Sequence, residues 1–256
     1  PGERAGGGGA APPDGETAPI ERYYRSGLSA AQQVGDLWGV AVSSARLGDL
    51  LYHQGEHERA LGYLRKALAE AERIGARAVA AGASIDLGAI LVGRGFADAG
   101  LQHLERGIDY AKSVQSVLVL AEGYGRLAEG RLLTGDTEGA LAAAREGHAI
   151  AGRIGHHSVL ALAHRTLGRV AVARADWRAA DRHFRRALDL FEGIDAQGEI
   201  GRTKYDFARM WQAWSAAGHG AVPPGATIML QEAAQIFARL DMQADLQAAR
   251  AALLSK

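Results

Sequence analysis

Residues Leu47–Leu68 read LGDLLYHQGEHERALGYLRKAL, and Leu167–Leu188 read LGRVAVARADWRAADRHFRRAL. The two stretches belong to one register that recurs every 40 residues: Leu47-Gly48, Leu87-Gly88, Leu127-Ala128, Leu167-Gly168 and Phe207-Ala208. Gly55, Gly95, Gly135 and Ala175 form a second column at the same spacing. Ala60, Gly100, Ala140 and Ala180 form a third, and Ala67, Gly107, Gly147 and Ala187 a fourth. Val34, Ile74, Val114, Ile154 and Ile194 form a fifth. A fixed period of this length is the signature of stacked supersecondary units.

Each column has a physical reading. Small residues in the first, third and fourth columns let two helices approach closely. The glycines of the second column supply a positive-φ stop for the first helix of each unit. The fifth column is expected to be an apolar anchor closing the second helix, which Gly35, Gly75 and Gly155 then end as C-caps. Between the stops, apolar residues recur at three and four, as in Leu61, Leu64, Leu68 and Ala71, the spacing of an amphipathic helix. The unit is helix A, a tight turn, helix B and a short loop. Ile20–Val34 reads as a lone helix B that starts the stack. In Ala216–Thr227, AAGHGAVPPGAT, Pro223 and Pro224 are expected to exclude helix. Beyond it Ala233 resumes the register, and Met242–Leu254 reads as a capping helix.

This pattern resembles the tetratricopeptide repeat (TPR). The small-residue slots of that family fall on Gly48, Ala60 and Ala67, and its bulky slots on Leu51 and Leu64. Leu167–Leu188 matches nearly as well, with Phe184 in a bulky slot. Gly100, Gly107 and Gly147 stand where alanine is usual, and the period exceeds the common 34, which implies longer helices. The resemblance implies an all-α fold, a right-handed α-solenoid of antiparallel helix pairs. It covers roughly residues 18–254 of the 256. The style of the repeats also resembles the C-terminal TPR regions of large bacterial regulators, including signalling ATPases of the STAND class.

Composition agrees with helices packed through small side chains. Hydrophobic residues make up 48% of the chain and aromatics 6%. The 29 basic residues balance 29 acidic ones, so the basic excess of a general nucleic-acid binder is missing, and direct nucleic-acid binding is not expected. Without cysteine there is no disulfide, thiol nucleophile or Cys-ligated metal. No apolar run is long enough to cross a bilayer and no signal peptide is evident, so a cytoplasmic location is expected. Pro1–Glu16, PGERAGGGGAAPPDGE, reads as a flexible linker leading into a repeat domain over 17–256, and it implies a further domain upstream.

Candidate chemistry is sparse. No GxxxxGK[ST] motif occurs. Gly93, Gly95 and Gly100 imitate a dinucleotide loop, but no strand precedes them. Gly123, Gly125 and Gly130 lie inside a helix, where each costs about 1 kcal/mol against alanine and makes the third repeat the most deformable. His53 and His57 are four apart, yet Gly55 breaks the helix between them. His156, His157 and His164 gain no third ligand from spacing, so no metal is expected. His103 and His183 share a packing column with Tyr63 and Ala143. Nothing joins Ser43, Ser44 or Thr166 to a base. The expectation is a chain that is not an enzyme and needs no cofactor.

In TPR arrays helix A lines the concave surface. The resemblance therefore implies groove positions at Asp49, Tyr52 and His53; Ile85, Ala89 and Val92; Glu122, Glu129 and Leu132; Arg165, Arg169 and Val172; and Arg202, Tyr205, Arg209 and Gln212. An arginine fork suits carboxylate or phosphate. Arg165, Arg169, Arg202 and Arg209, with Tyr205, are thus candidates to bind an acidic segment of a protein or peptide. Glu122 and Glu129 are placed to neutralise Arg165 and Arg169, whereas Arg202 and Arg209 show no such partner in the sequence. Trp38, Trp177, Trp211 and Trp214 are expected to be core or inter-repeat wedges. Two other functions stay open: a peptide or small-molecule receptor with a deep apolar cavity near Ile85, Val92 and Leu132, or an accessory subunit of an enzyme.

Overall fold

A computed structural model describes residues 17–254 and contains twelve helices and no strand among them. The linker reading of Pro1–Glu16 lies outside the described residues. The helices are α1 (Thr17–Val34), α2 (Leu37–His53), α3 (His57–Ile74), α4 (Arg77–Gly93), α5 (Ala97–Ser113), α6 (Val117–Leu133), α7 (Thr137–Ile154), α8 (His157–Ala173), α9 (Trp177–Glu192), α10 (Gln197–Ala216), α11 (Pro224–Arg239) and α12 (Gln243–Leu254). Five antiparallel pairs run from α2/α3 to α10/α11, between the single helices α1 and α12. The architecture is an α-solenoid.

The curvature follows from which helices touch. Each of α2, α4, α6, α8 and α10 packs closely on the next even-numbered helix, whereas the backbones of α3, α5, α7 and α9 stay apart; α3 and α5 meet through long side chains, Tyr110 donating to Glu72 at 2.9 Å and Arg106 pairing with it at 2.7 Å. The even helices therefore form the tight inner layer and the odd helices α3 to α11 the splayed outer one.

Packing within each pair is a match of small against large. A side chain on Gly48 would run into Leu64, and one on Gly168 into Phe184. In α4/α5 the approach is closest, because a Cβ on Gly88 would come within 2.7 Å of the Gly100 carbonyl and 2.9 Å of the Leu104 amide. Gly107 likewise faces the Ala81 carbonyl at 3.0 Å. These glycines are required by the backbone of the partner helix. In the third repeat Ala128 and Ala144 are both buried instead, a small–small match at the same level.

The turns also follow the register. Gly55, Gly95 and Gly135 have φ of +79°, +86° and +81°, and Ala175 takes the same left-handed conformation at +55°. Gly35, Gly75 and Gly155 are left-handed at the ends of helices B, and Gln115 and Asp195 hold that place without glycine. Asp36, Asp136 and Asp176 cap α2, α7 and α9 by accepting from the amides of Gly39, Gly139 and Ala179.

Two expectations need correction. The fifth column is not an anchor: Val34 is 79% exposed, and Ile74, Val114 and Ile194 are also exposed, with only Ile154 half-buried. Val34, Ile74 and Ile154 are the last residues of α1, α3 and α7, and Val114 and Ile194 stand just past the ends of α5 and α9. The buried column lies three residues earlier, at Ala31, Ala71, Ala111, Ala151 and Phe191. Nor does Pro224 exclude helix. It opens α11 at the first helical position, where a missing N–H leaves no bond unmade, so the break is confined to 217–223.

Candidate functional site

The inner layer borders a partly open cavity of about 750 Å³ between α2, α4, α6 and α8. Its walls are made by the N-terminal halves of those helices: Trp38 and Val42, Val79, Leu118 and Val119, and Leu162. Charged groups line it one or two turns further along, at Arg46, Asp49, Asp86, Glu122, Arg126, Glu129 and Arg165. Gly82 and Gly125 are also part of the lining. Because successive even helices place equivalent residues side by side, the groove is apolar along one edge and charged along the other.

The charged edge is a connected network. The Arg126 guanidinium lies over the Tyr52 ring at 5.2 Å and approaches Glu129 at 3.5 Å. Arg169 donates to the other oxygen of Glu129 at 2.9 Å. Arg165, buried in α8, donates to Glu199 and sits 4.0 Å from Asp206. Arg202 donates to Glu199 at 3.0 Å and to Asp245 of α12 at 3.2 Å. Burial opposes ionisation of Glu129, but Arg169, Arg126 and Arg165 outweigh it and hold the carboxyl below the usual carboxylate range. Glu199 is lowered in the same way: burial is overcome by Arg165 and Arg202. At Asp206 burial wins, and the carboxyl is raised despite Arg169 and Arg165.

The expected groove residues divide accordingly. Asp49, Ile85, Glu122, Glu129 and Arg165 line the cavity. Tyr52 and Arg169 belong to its charged edge, and Ala89 is half-buried on α4. His53 is the last residue of α2. Val92 and Leu132 are core residues packed with Leu104 and Leu127, so the deep apolar cavity is not where they are. The predicted pairing is met at Arg169–Glu129, but Arg165 pairs with Glu199, not Glu122. Arg202 is not without a partner, since Glu199 and Asp245 hold it.

Of the fifth-repeat positions, Arg202, Tyr205 and Gln212 are partly covered and Arg209 is exposed. Tyr205 packs against Leu230, Phe237 and Leu246 of α11 and α12. Gln212 donates to the Ala252 carbonyl of α12 at 2.9 Å and accepts from exposed Arg209 at 2.8 Å. The reason is that α12 stacks where the next inner helix would stand. Trp177, Trp211 and Trp214 are half-buried and pack as wedges, continuing the Phe184–Phe207 stack through Trp211 at 6.4 Å to Trp214 at 5.6 Å. Trp38 departs from that expectation: it is 61% exposed and lines the cavity.

Sequence reasoning missed Arg46, Asp86 and Arg126, which form their own column at the 40-residue period. It also missed three histidines that meet across α7, α8 and α9. His148 Nε2 is 3.4 Å from His164 Nε2, and His164 Nδ1 is 3.0 Å from His183 Nδ1. Burial, then His148, His183 and Arg186, push the His164 imidazole down to about 4. His164 presents its two nitrogens to different neighbours, and no group of three or more His, Asp or Glu among the described residues is arranged to hold a metal ion.

Comparison with known proteins bears on the fold. No family model matches the sequence, and no curated protein matches it. Solved structures do match. A Rap protein complexed with Competence and Sporulation Factor superposes with a TM-score of 0.67 at 12% identity, covering 91% of this chain and 68% of that one. BtubC from P. vanneervenii gives 0.63 at 15% identity, covering 89% and 93%. The TPR-like repeats of a kinesin light chain from Podosopora anserina give 0.52 at 14%, covering 77% and 95%. The chain has a TPR-like solenoid fold. No helix of the TPR-like array, among its described residues, is long and apolar enough to cross a membrane.

Proposed function

We propose that the chain is a binding module and not an enzyme, and that a protein segment or peptide lies along its inner face. The cavity between α2, α4, α6 and α8 carries this reading. Its volume, about 750 Å³, falls within the range of ligand pockets, and apolar walls meet charged groups there from four helices. The structurally similar Rap protein was solved with Competence and Sporulation Factor bound, which supports a ligand-holding role for a solenoid of this shape. We further propose that the module is the sensor or interaction arm of a larger cytoplasmic regulator. That role requires the ligand to prefer one state of the array.

The charge of the ligand has two readings. An acidic segment could be drawn by Arg165, Arg169, Arg202 and Arg209, but it must displace Glu199 and Asp245 from Arg165 and Arg202. A small molecule is the second class of ligand, favoured by the apolar walls of the cavity; an accessory role in an enzyme complex predicts instead a large partner covering the whole inner face. Panning the full chain against a phage-displayed random 12-residue peptide library, then mapping hydrogen exchange with the selected peptide, tests the proposal. Protection of α2, α4, α6 and α8 is expected. Protection confined to the outer helices, or no enrichment, would overturn it.

A further inference from the structure

A solenoid needs a polar face at each end of its stack, and here the two ends differ. At the C-terminal end, the face of α12 that a following helix would cover carries Gln247 and Arg250, both exposed. Their register equivalents in α10, Gly201 and Lys204, face α11 at Phe237 and Glu232. At the N-terminal end, α1 is a helix B without a helix A beside it among the described residues. Ile20, Tyr23, Gly27, Ala30 and Val34 follow one another at three and four residues along one side of α1, the spacing of a helix–helix seam. All five are exposed, Tyr23 by 75%.

The register says what covers this side elsewhere. Ile20 stands in the column of Ala60, Gly100, Ala140 and Ala180, and Gly27 in that of Ala67, Gly107, Gly147 and Ala187. All eight of those residues are buried. A Cβ on Gly100, Gly107 or Gly147 would touch a carbonyl of helix A in its own pair. The side is therefore shaped for an antiparallel helix. The sequence ahead of α1 does not repeat that pattern: where the Leu-Gly column would fall, residues 5–13 read AGGGGAAPP.

The seam is also self-complementary. Pairs in the array set small against large, as Gly48 against Leu64 and Gly168 against Phe184. Two copies of α1 laid antiparallel obey the same rule, with Tyr23 of one opposite Gly27 of the other and Ile20 opposite Ala30. No charged residue lies between 26 and 34. The helical period turns Arg22 and Arg25 away from the seam. Arg25 pairs with Glu21 at 2.6 Å, and Glu21 also holds Arg59. Symmetry thus brings no like charges together across the seam.

We propose that this side of α1 is the interface of a homodimer, in which α1 of a second copy lies antiparallel in the place that helix A takes in the other pairs. Such an interface is isologous and closes on itself. It uses none of the residues that line the inner cavity, so it stands apart from the ligand reading. With 18 residues, α1 offers a seam of about 27 Å, which is small for a dimer and fits a dissociation constant of about 1–100 μM.

Sedimentation velocity of the full chain from about 1 to 300 μM tests this. The protein should pass from monomer to dimer, and hydrogen exchange in α1 should slow in step. Ile20→Asp/Tyr23→Asp should weaken association at least about 10-fold and leave the melting of the dilute protein unchanged, because both side chains are exposed. Ala30→Arg serves if that variant misfolds, since arginine is a good helix former, and it should weaken association likewise. Leu254→Asp, on the exposed end of α12, should have no effect. A monomer throughout the range would overturn the proposal, and so would a dimer that survives both seam variants. Loss of the dimer in Leu254→Asp would overturn it too, because the ends would then join head to tail.

Discussion

The inner face of the array is built twice from one backbone plan and finished in two ways. Along α2, α4 and α6 it is open, with an exposed Trp38, two unpacked glycines and a cavity. Along α8 and α10 the same register positions are filled. Arg165, Arg202 and Tyr205 occupy the places of Gly125, Gly82 and Gly125 in turn, and they are tied to Glu199, Asp245 and the α12 core. The backbone repeat decides where side chains point. Their size and charge decide whether that surface becomes a site or a seal.

The sealed half should break first and hardest at Phe184, which is fully buried in α9 and stacks on Phe207 at 5.5 Å. Phe184→Ala should cost about 3–5 kcal/mol through lost burial and a residual cavity. Each repeat packs only on its neighbours, so the damage should stay local. Hydrogen exchange should accelerate in α8 to α10 and remain at the wild-type rate in α2 and α3. Uniform acceleration would mean that the two halves unfold as one.

The next contrast is one of pH. His164 sits between His148 and His183, with Arg186 and Arg182 adding positive charge and Asp176 partly offsetting it at His183. Its native imidazole titrates at about 4, against an ordinary 6.5. Between those values the unfolded chain takes up a proton that the native chain refuses. Stability is therefore full above pH 6.5 and declines as pH falls toward 4, by roughly 2–3 kcal/mol. Urea melts from pH 7 to 4 should show the loss, and His164→Gln should remove most of that slope. An unchanged slope would place the acid sensitivity elsewhere.

The fold was legible because its requirements are local and repeated. A glycine at +79°, an alanine at a helix crossing and an aspartate cap each leave a mark at one position, and the period multiplies it. The site was less legible because it depends on pairs. Arg202 is matched by Asp245, 43 residues away on a capping helix that lies outside the register. The histidine cluster joins residues 16 and 19 apart on three helices, each in a different column. The outward turn of Val34 and Ile74 was misread because the last residue of an amphipathic helix can leave the apolar face. Gly125 was visible as a helix-weakening residue, but only neighbouring helices show that the space beside it is empty.

The distinction between glycines can be sharpened with alanine. Gly88→Ala should destabilise by about 1–3 kcal/mol, since its Cβ meets backbone atoms of α5 that cannot move independently. Gly82→Ala, six residues earlier on the same helix, should stabilise by up to about 1 kcal/mol. Chemical denaturation of the two variants isolates packing from propensity, because the helix is common to both. Equal shifts of the same sign would refute the idea that Gly82 is free of packing duty.

The smallest effect compares one turn in the two halves. Gly135 ends α6 at φ +81°, and Ala175 ends α8 at φ +55°. Both turns close in the same way: Gly135 donates to Leu132 and Asp136 to Arg131, as Ala175 donates to Val172 and Asp176 to Ala171. The backbone is held equally in both, so the difference lies in the Cβ. A non-glycine residue in the left-handed region costs roughly 1–2 kcal/mol. Glycine loses more chain entropy on folding, which returns part of that gain. Ala175→Gly should therefore stabilise by about 0.5–1 kcal/mol, and Gly135→Ala should destabilise by a similar amount. If thermal melts show Ala175→Gly lowering stability, the methyl group of Ala175 makes a contact at the α8–α9 turn that outweighs its strain, and the two turns are not equivalent.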